Sequence, residues 1–422
     1  MNAFALKNNY SSFYWGALVC IAAIPFFTPI IGVGIPCLAF GVILLGLSLS
    51  RLGNTYHQSN IRLVISLFVY ILICCVYKFL GISTFSIGAM MTHLFFFVSI
   101  LSMLSLPNVI SDDHKKIVFF VIAAIIAINI IDNIRLCIKY PELLLMVNRS
   151  RDFELNVNIG GSRFYNAIVF FYTICLFGFL NVKEKLPKYL LLGSIVISAV
   201  FIFGFCLKAS TLLSAVLSTI LLIFSRRARN LRRLLIRLII PTLIIYVIIN
   251  IFLDSIVEFL SSVLRSERLL QRVIFVFDQD NEEAASGAGT VAARGELWML
   301  SFNTWTDNIV NFFFGIGDHR VDWETVTPED VGIGQHSTFF DSLARYGLFG
   351  MMVIVSILYR GFNYLISLFD RKYWVQLHVI ILVFVLYFVT KGVFVSDIGF
   401  LMFVFLPLLS IILNKQVDNQ NL

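Results

Sequence analysis

Charge is what this 422-residue chain has least of. Only 14% of its residues are Asp, Glu, Lys or Arg, against about 25% in soluble domains. With 59% apolar and 15% aromatic residues, a soluble or disordered chain is excluded, and lipid must solvate most of the sequence. Cysteine is missing from every pattern that staples loops or holds zinc. Of the seven, Cys20, Cys37, Cys74, Cys75, Cys175 and Cys206 lie within or at the edge of apolar runs, Cys137 alone does not, and the set shows neither a disulfide framework nor a zinc spacing. There is no internal repeat of about 20 to 50 residues and no low-complexity tract. The N-terminus carries a single Lys7 before its first apolar run, and in Ala17-Leu18-Val19-Cys20 a valine stands where a lipobox needs a small residue. An uncleaved first span is therefore expected.

What is present is a series of apolar runs long enough to cross about 30 Å of hydrocarbon. Cut at their polar interruptions, they predict twelve spans in an all-α polytopic membrane protein. The first eight are Ser12 to Phe27, Ile30 to Leu49, Leu63 to Leu80, Ile87 to Leu106, Ile117 to Ile131, Phe164 to Leu180, Tyr189 to Phe205 and Thr211 to Phe224. The last four are Leu238 to Phe252, Tyr346 to Tyr359, Val375 to Val393 and Ile398 to Leu413. The net charge of +7 is then a topology signal and does not point to nucleic acid as a partner. Arg226, Arg227, Arg229, Arg232, Arg233 and Arg237 follow span eight and belong on the cytoplasmic side. Alternation puts Lys115 and Lys116, then Lys183, Lys185 and Lys188, then Arg371 and Lys372, and both termini on that same side.

Two outer segments remain, Asp132 to Arg163 and the 92 residues from Leu253 to Ala344. The larger has five arginines against fifteen acids, a net charge of −10. In it, Leu253 to Phe277 has the spacing of an amphipathic surface helix, Asp278 to Thr290 reads as an acidic, Gly- and Ala-rich linker, and a second helix is expected from Val291 to about Trp305. Gly315-Ile316-Gly317 then breaks the chain, which re-enters the membrane at His336-Ser337-Thr338-Phe339-Phe340.

Cations on the outer side go against the topology rule. The smaller segment carries Arg135, Lys139, Arg149, Arg151 and Arg163. They suit either an anionic ligand, since arginine's fork of donors matches phosphate oxygens, or simple pairing with Asp132, Glu142, Asp152 and Glu154. Lys208, in the brief turn between spans seven and eight, is read as a functional cation at the membrane surface or as a snorkelling side chain. His93, His378 and Lys391 are expected to be packing or interfacial groups. Asp278-Gln279-Asp280 is too short a match to predict a metal site, and no cofactor is expected. The richest constellation joins Arg294, with Trp298 four residues on, to His336 about forty residues later. An imidazole takes or holds a proton near neutrality, and a guanidinium neutralises a phosphate leaving group.

Arg294-Gly295, Trp298, Phe314-Gly315-Ile316-Gly317, Gly334-Gln335-His336-Ser337 and Tyr346-Gly347-Leu348-Phe349-Gly350, in that order, resemble the outer-loop signature of the O-antigen ligase and polymerase superfamily. These are bacterial inner-membrane glycosyltransferases of the GT-C type, with about twelve spans and a large periplasmic loop of short helices. The resemblance implies metal-independent glycan transfer from an undecaprenyl-pyrophosphate-linked oligosaccharide at the periplasmic face. Arg294 would hold the pyrophosphate and His336 would orient or deprotonate the acceptor. Where the family places another arginine this chain offers Lys208, which keeps the charge but loses the bidentate fork. Arg163 or Arg272 are the alternatives. Trp298, Trp305 and Trp323 are either sugar platforms or interfacial anchors.

Arg149, ten residues, then Gly160 resembles an element of some polymerases, and His336-Ser337 followed by Asp341, Tyr346 and Gly347 also looks more like the polymerases. The expectation is therefore polymerisation of O-antigen repeat units onto a lipid-linked acceptor, with a chain-length regulator as a protein partner. The alternatives are ligation to lipid A core and, further off, a lipid-linked oligosaccharide flippase. A flippase should show paired halves, which this sequence lacks.

Overall fold

The computed structural model describes residues 16–17, 19, 58–80, 96–104, 110–139, 162–205, 209–226, 228, 295–317, 328–334 and 336–418. Among these residues every regular element is a helix. Six of the described helices are long and apolar enough to cross a membrane: Ile61–Phe79, Asp112–Lys139, Lys185–Gly204, Thr338–Ser367, Arg371–Thr390 and Asp397–Asn414. Tyr165–Asn181 and Thr211–Ser225 are shorter apolar helices. The chain is thus an all-α membrane protein. Spans three, five to eight and ten to twelve of the sequence reading fall on these helices, and residues 96–104 are a helical piece of the fourth. Spans two and nine, and all but three residues of span one, lie outside the described residues.

In chain order the helices are α1 Gln58–Phe79, α2 (96–104), α3 Asp112–Lys139, α4 Ser162–Asn181, α5 Lys185–Gly204 and α6 Ala209–Ser225. Then come α7 (295–306), α8 Ile309–Phe314, α9 Pro328–Val331, α10 Thr338–Ser367 and α11 Trp374–Thr390. Finally α12 Ser396–Phe400 and α13 Leu406–Asp418 are joined through a π-helical turn at Leu401–Phe405.

These sequences are helical because lipid offers the backbone no partners, so each segment must satisfy its own N–H and C=O groups. Hydroxyls inside the bundle follow the same rule by bonding back along their own helices. Thr173 donates to the Val169 carbonyl at 2.6 Å and Ser198 to that of Ser194 at 2.7 Å. Apolar residues also cover the outside. On α1, Leu63, Leu67 and Tyr70 are buried while Ile61, Ile65, Phe68, Leu72, Val76 and Phe79 are exposed. A helix apolar on both faces belongs in a bilayer. The core is aromatic. Phe96 meets Phe384 and Phe403 with ring centroids 6.0 and 5.7 Å away, and Phe362 reaches the same two rings at 5.1 and 5.6 Å.

Polar contacts define the two ends of the bundle. At one end the start of α3 is paired to the α4–α5 turn by Lys116 and Glu184 at 3.4 Å. There Asn181, at the close of α4, also donates to Gln376 in the first turn of α11 at 2.7 Å. Helix α6 lies beside α4, with Tyr172 bonded to Thr219 at 2.9 Å and Thr173 to Ser218 at 3.1 Å. Two helices on from α4, it runs the same way and delivers Arg226 to the same end. All four basic clusters of the sequence therefore start from one end of the bundle, as a common membrane side requires. At the other end Lys391, at the close of α11, donates to Asn166 in the first turns of α4 at 3.3 Å.

One boundary differs from the hydropathy reading. The smaller outer segment was expected to begin at Asp132, yet α3 stays helical to Lys139. Its 28 residues reach about 42 Å at about 1.5 Å per residue, against about 30 Å of hydrocarbon. The two charged last turns, from Asp132 to Lys139, thus stand at and beyond the interface as helix.

Candidate active site

The site forms at the end of the bundle opposite the basic turns, where α7 and α8, which make up an outer layer on the bundle, meet the start of α10. Ser337 caps α10, its hydroxyl accepting from the Phe340 N–H at 3.2 Å. The same hydroxyl donates to the Val389 carbonyl at 2.6 Å. The Lys391 carbonyl accepts from both the backbone N–H and the hydroxyl of Thr338, at 2.9 and 3.0 Å. In turn the Thr338 hydroxyl accepts from the Val393 N–H at 2.8 Å. Carbonyls left open at the end of α11 thus serve donors at the start of α10.

Helix α10 is broken at Gly347, which sits at φ 63°. The carbonyls of Ala344 and Arg345 released there accept from the Ile316 and Gly317 N–H groups, each at 2.9 Å. Backbone touches backbone at this junction. A Cβ on Gly315 would fall 2.4 Å from the Arg345 carbonyl carbon, and one on Gly347 would fall 2.4 Å from that of Phe313. The outer end of α1 packs on the same junction, where the Tyr77 hydroxyl donates to the Phe314 carbonyl. The Tyr77 ring lies parallel to that of Tyr346 with centroids 6.3 Å apart. The Phe314-to-Gly317 and Tyr346-to-Gly350 motifs, about thirty residues apart in sequence, are therefore two halves of one interlock.

His336 stands just before this cap, partly exposed. Its Nδ1 lies 2.9 Å from the Gly334 carbonyl. A carbonyl only accepts, so Nδ1 is the donor in this contact and carries a proton. Gly334 is pressed against α7: a Cβ there would sit 2.2 Å from the Leu297 carbonyl oxygen. The Gly334 N–H donates to Ser301 Oγ at 2.9 Å, and Ser301 donates to Asp341 Oδ1 at 2.8 Å. Asp341, buried at 6% exposure, also accepts from the Ser337 N–H through Oδ2 at 3.2 Å. Arg345, one turn on, and His336 are its electrostatic neighbours.

Trp298 lies on α7 as expected, its ring nearly parallel to that of Phe340 with centroids 6.2 Å apart. The indole N–H is shielded from solvent and has no hydrogen-bond partner among the described residues. Trp305 has a structural place, donating to the Phe312 carbonyl at 2.9 Å while stacking on that ring at 4.9 Å. Below it the break in α10 opens an apolar groove of about 510 Å³ between Phe339 and Leu343 before the kink and Met351, Met352 and Tyr359 after it.

The structure thus brings together His336, Trp298 and the motif glycines Gly315, Gly334 and Gly347. Arg163 lies in the first turn of α4, the end that Asn166 brings to Lys391. Arg149, Lys208, Arg272 and Arg294 lie outside the described residues, as do Trp323 and the expected amphipathic helix from Leu253 to Phe277. Sequence reasoning singled out neither Ser301 nor the bonding role of Asp341. The available signal was an acid placed five residues beyond His336 at the start of an apolar helix, where only a partnered carboxylate is tolerated. No protein-family model matches the chain, and no curated protein matches it, so the chemistry assigned to the site rests on its residues and their geometry.

Proposed function

We propose that the chain is a metal-independent membrane glycosyltransferase that polymerises O-antigen or a related surface polysaccharide at the outer face of the bacterial inner membrane. The observation that carries this reading is the presentation of His336. Its Nδ1 is committed to a backbone carbonyl, so Nε2 is the nitrogen that would serve a reacting hydroxyl. The apolar groove between Trp305, Phe339 and the residues after the kink in α10 is consistent with a substrate that stays attached to lipid, and the basic turns at the far end are consistent with a site on the outer side.

In the reaction the acceptor hydroxyl loses its proton to His336 Nε2 while its oxygen forms the new bond to the anomeric carbon. The bond from that carbon to the pyrophosphate oxygen breaks, and undecaprenyl pyrophosphate leaves with the electron pair. Arg294 would neutralise the departing charge. A glycosyl pyrophosphate is already activated, so positioning and charge stabilisation suffice.

Complementation of a strain lacking the gene tests this reading. The null strain is expected to make lipopolysaccharide with at most a single repeat unit, with the ladder restored by wild type and not by His336→Ala or Arg294→Ala. Accumulation of lipid-linked polymer with no O-units on the lipopolysaccharide would identify a ligase instead. A full ladder from both alanine variants would reject the site under either acceptor.

A further inference from the structure

We propose that Asp341 and Ser301 are positioning residues for His336, a two-pronged clamp that fixes the backbone on both sides of the imidazole. One carboxylate holds both ends of the Gly334-to-Ser337 turn. Its Oδ2 takes the Ser337 N–H directly, and its Oδ1 takes the Ser301 hydroxyl, which in turn takes the Gly334 N–H. Gly334 then closes the circuit by accepting from His336 Nδ1 through its carbonyl. The five residues come from α7, the turn before α10 and the start of α10 itself, and only a carboxylate supplies two acceptor oxygens along these two directions.

Burial makes the arrangement effective. Ser301 is fully buried and Asp341 nearly so, so water is a poor substitute for either bond, and loss of one leaves an unsatisfied group in the interior. Leu297 already presses on Gly334 from α7, which leaves the turn few other ways to sit. The clamp also places Arg345 beside the same carboxylate, giving the negative charge a counterion within its own helix.

The clamp rests on the proposed reaction only in its catalytic consequence; its geometry is tested separately. In purified full-length protein, diethylpyrocarbonate modification is followed by mass spectrometry at the peptide holding His336 and, as an internal reference, at His378 on α11. Ser301→Ala removes one oxygen atom and is not expected to compromise folding. It should raise the modification rate of His336 about fivefold, the factor for losing one buried hydrogen bond, with His378 unchanged. Asp341→Asn should act in the same direction. The double variant should fall short of the product of the two single effects, because both act through one network.

An unchanged rate at His336 in Ser301→Ala, or rates rising together at His336 and His378, would overturn the clamp. Ladder formation in cells separates the two ideas. Faster modification of His336 with an intact ladder from His336→Ala would leave the clamp standing and remove the reaction. Unchanged modification with a lost ladder would do the reverse.

Discussion

His336→Gln is expected to lower the rate of glycan transfer by about 10²- to 10⁴-fold, the usual contribution of a positioned general base. Glutamine is the informative replacement because its amide nitrogen reaches about where Nε2 of His336 stands and still hydrogen-bonds there, yet it offers the acceptor no basic nitrogen. Initial rates with a saturating lipid-linked repeat unit should show the loss in kcat, with KM little changed, since the proton moves only in the transition state. A glutamine variant with the wild-type rate would show that His336 only orients the acceptor and that the proton leaves by another route.

Gly347→Ala is expected to have the largest effect on stability, a loss of about 3 kcal/mol or more. Left-handed strain at φ 63° accounts for about 1 to 2 kcal/mol of it. The remainder is a Cβ driven to 2.4 Å from the Phe313 carbonyl carbon. Backbone on both sides prevents the relief that a flexible side chain would provide, so the outer layer must separate from α10. Gly193, on the exposed face of α5, is the control. A Cβ there meets nothing within 4 Å, so Gly193→Ala should be neutral or stabilising by up to about 1 kcal/mol. Thermal unfolding in detergent, read by tryptophan fluorescence, compares the two. Equal midpoints for both variants would contradict the interlock.

Most of the membrane architecture was legible in the sequence because lipid imposes one strong rule on long apolar runs. The break in α10 was not. Hydropathy placed span ten from Tyr346, while the helix begins at Thr338. Asp341 and Arg345 interrupt the apolar run, and no window average reveals that one is held by Ser301 and Ser337. The end of α3 was missed for a related reason. Asp132, Arg135 and Lys139 look like loop residues by charge, although nothing in their propensity ends a helix. At the site, His336 was found because histidine is chemically conspicuous. Ser301 was overlooked because a lone serine in a helix has many ordinary uses, and only the fold reveals what lies across from it. Gly315, Gly334 and Gly347 read as signature letters in sequence, whereas in the structure they are points where two backbones touch.

The break at Gly347 also divides the chain into cooperative units that do not coincide with its helices. Residues 338–346 are continuous with the membrane-spanning part of α10 in sequence, yet the carbonyls at their far end are held by Ile316 and Gly317 of the outer layer. When that layer opens, this segment should open with it and not with the span. Native-state hydrogen exchange should then find the amides of 338–346 sharing an opening free energy with those of 309–317, distinct from the slower set beyond Leu348. Unseating the imidazole and loosening the surface layer become a single event, so a molecule that binds and tightens that layer would slow exchange at His336 without touching it.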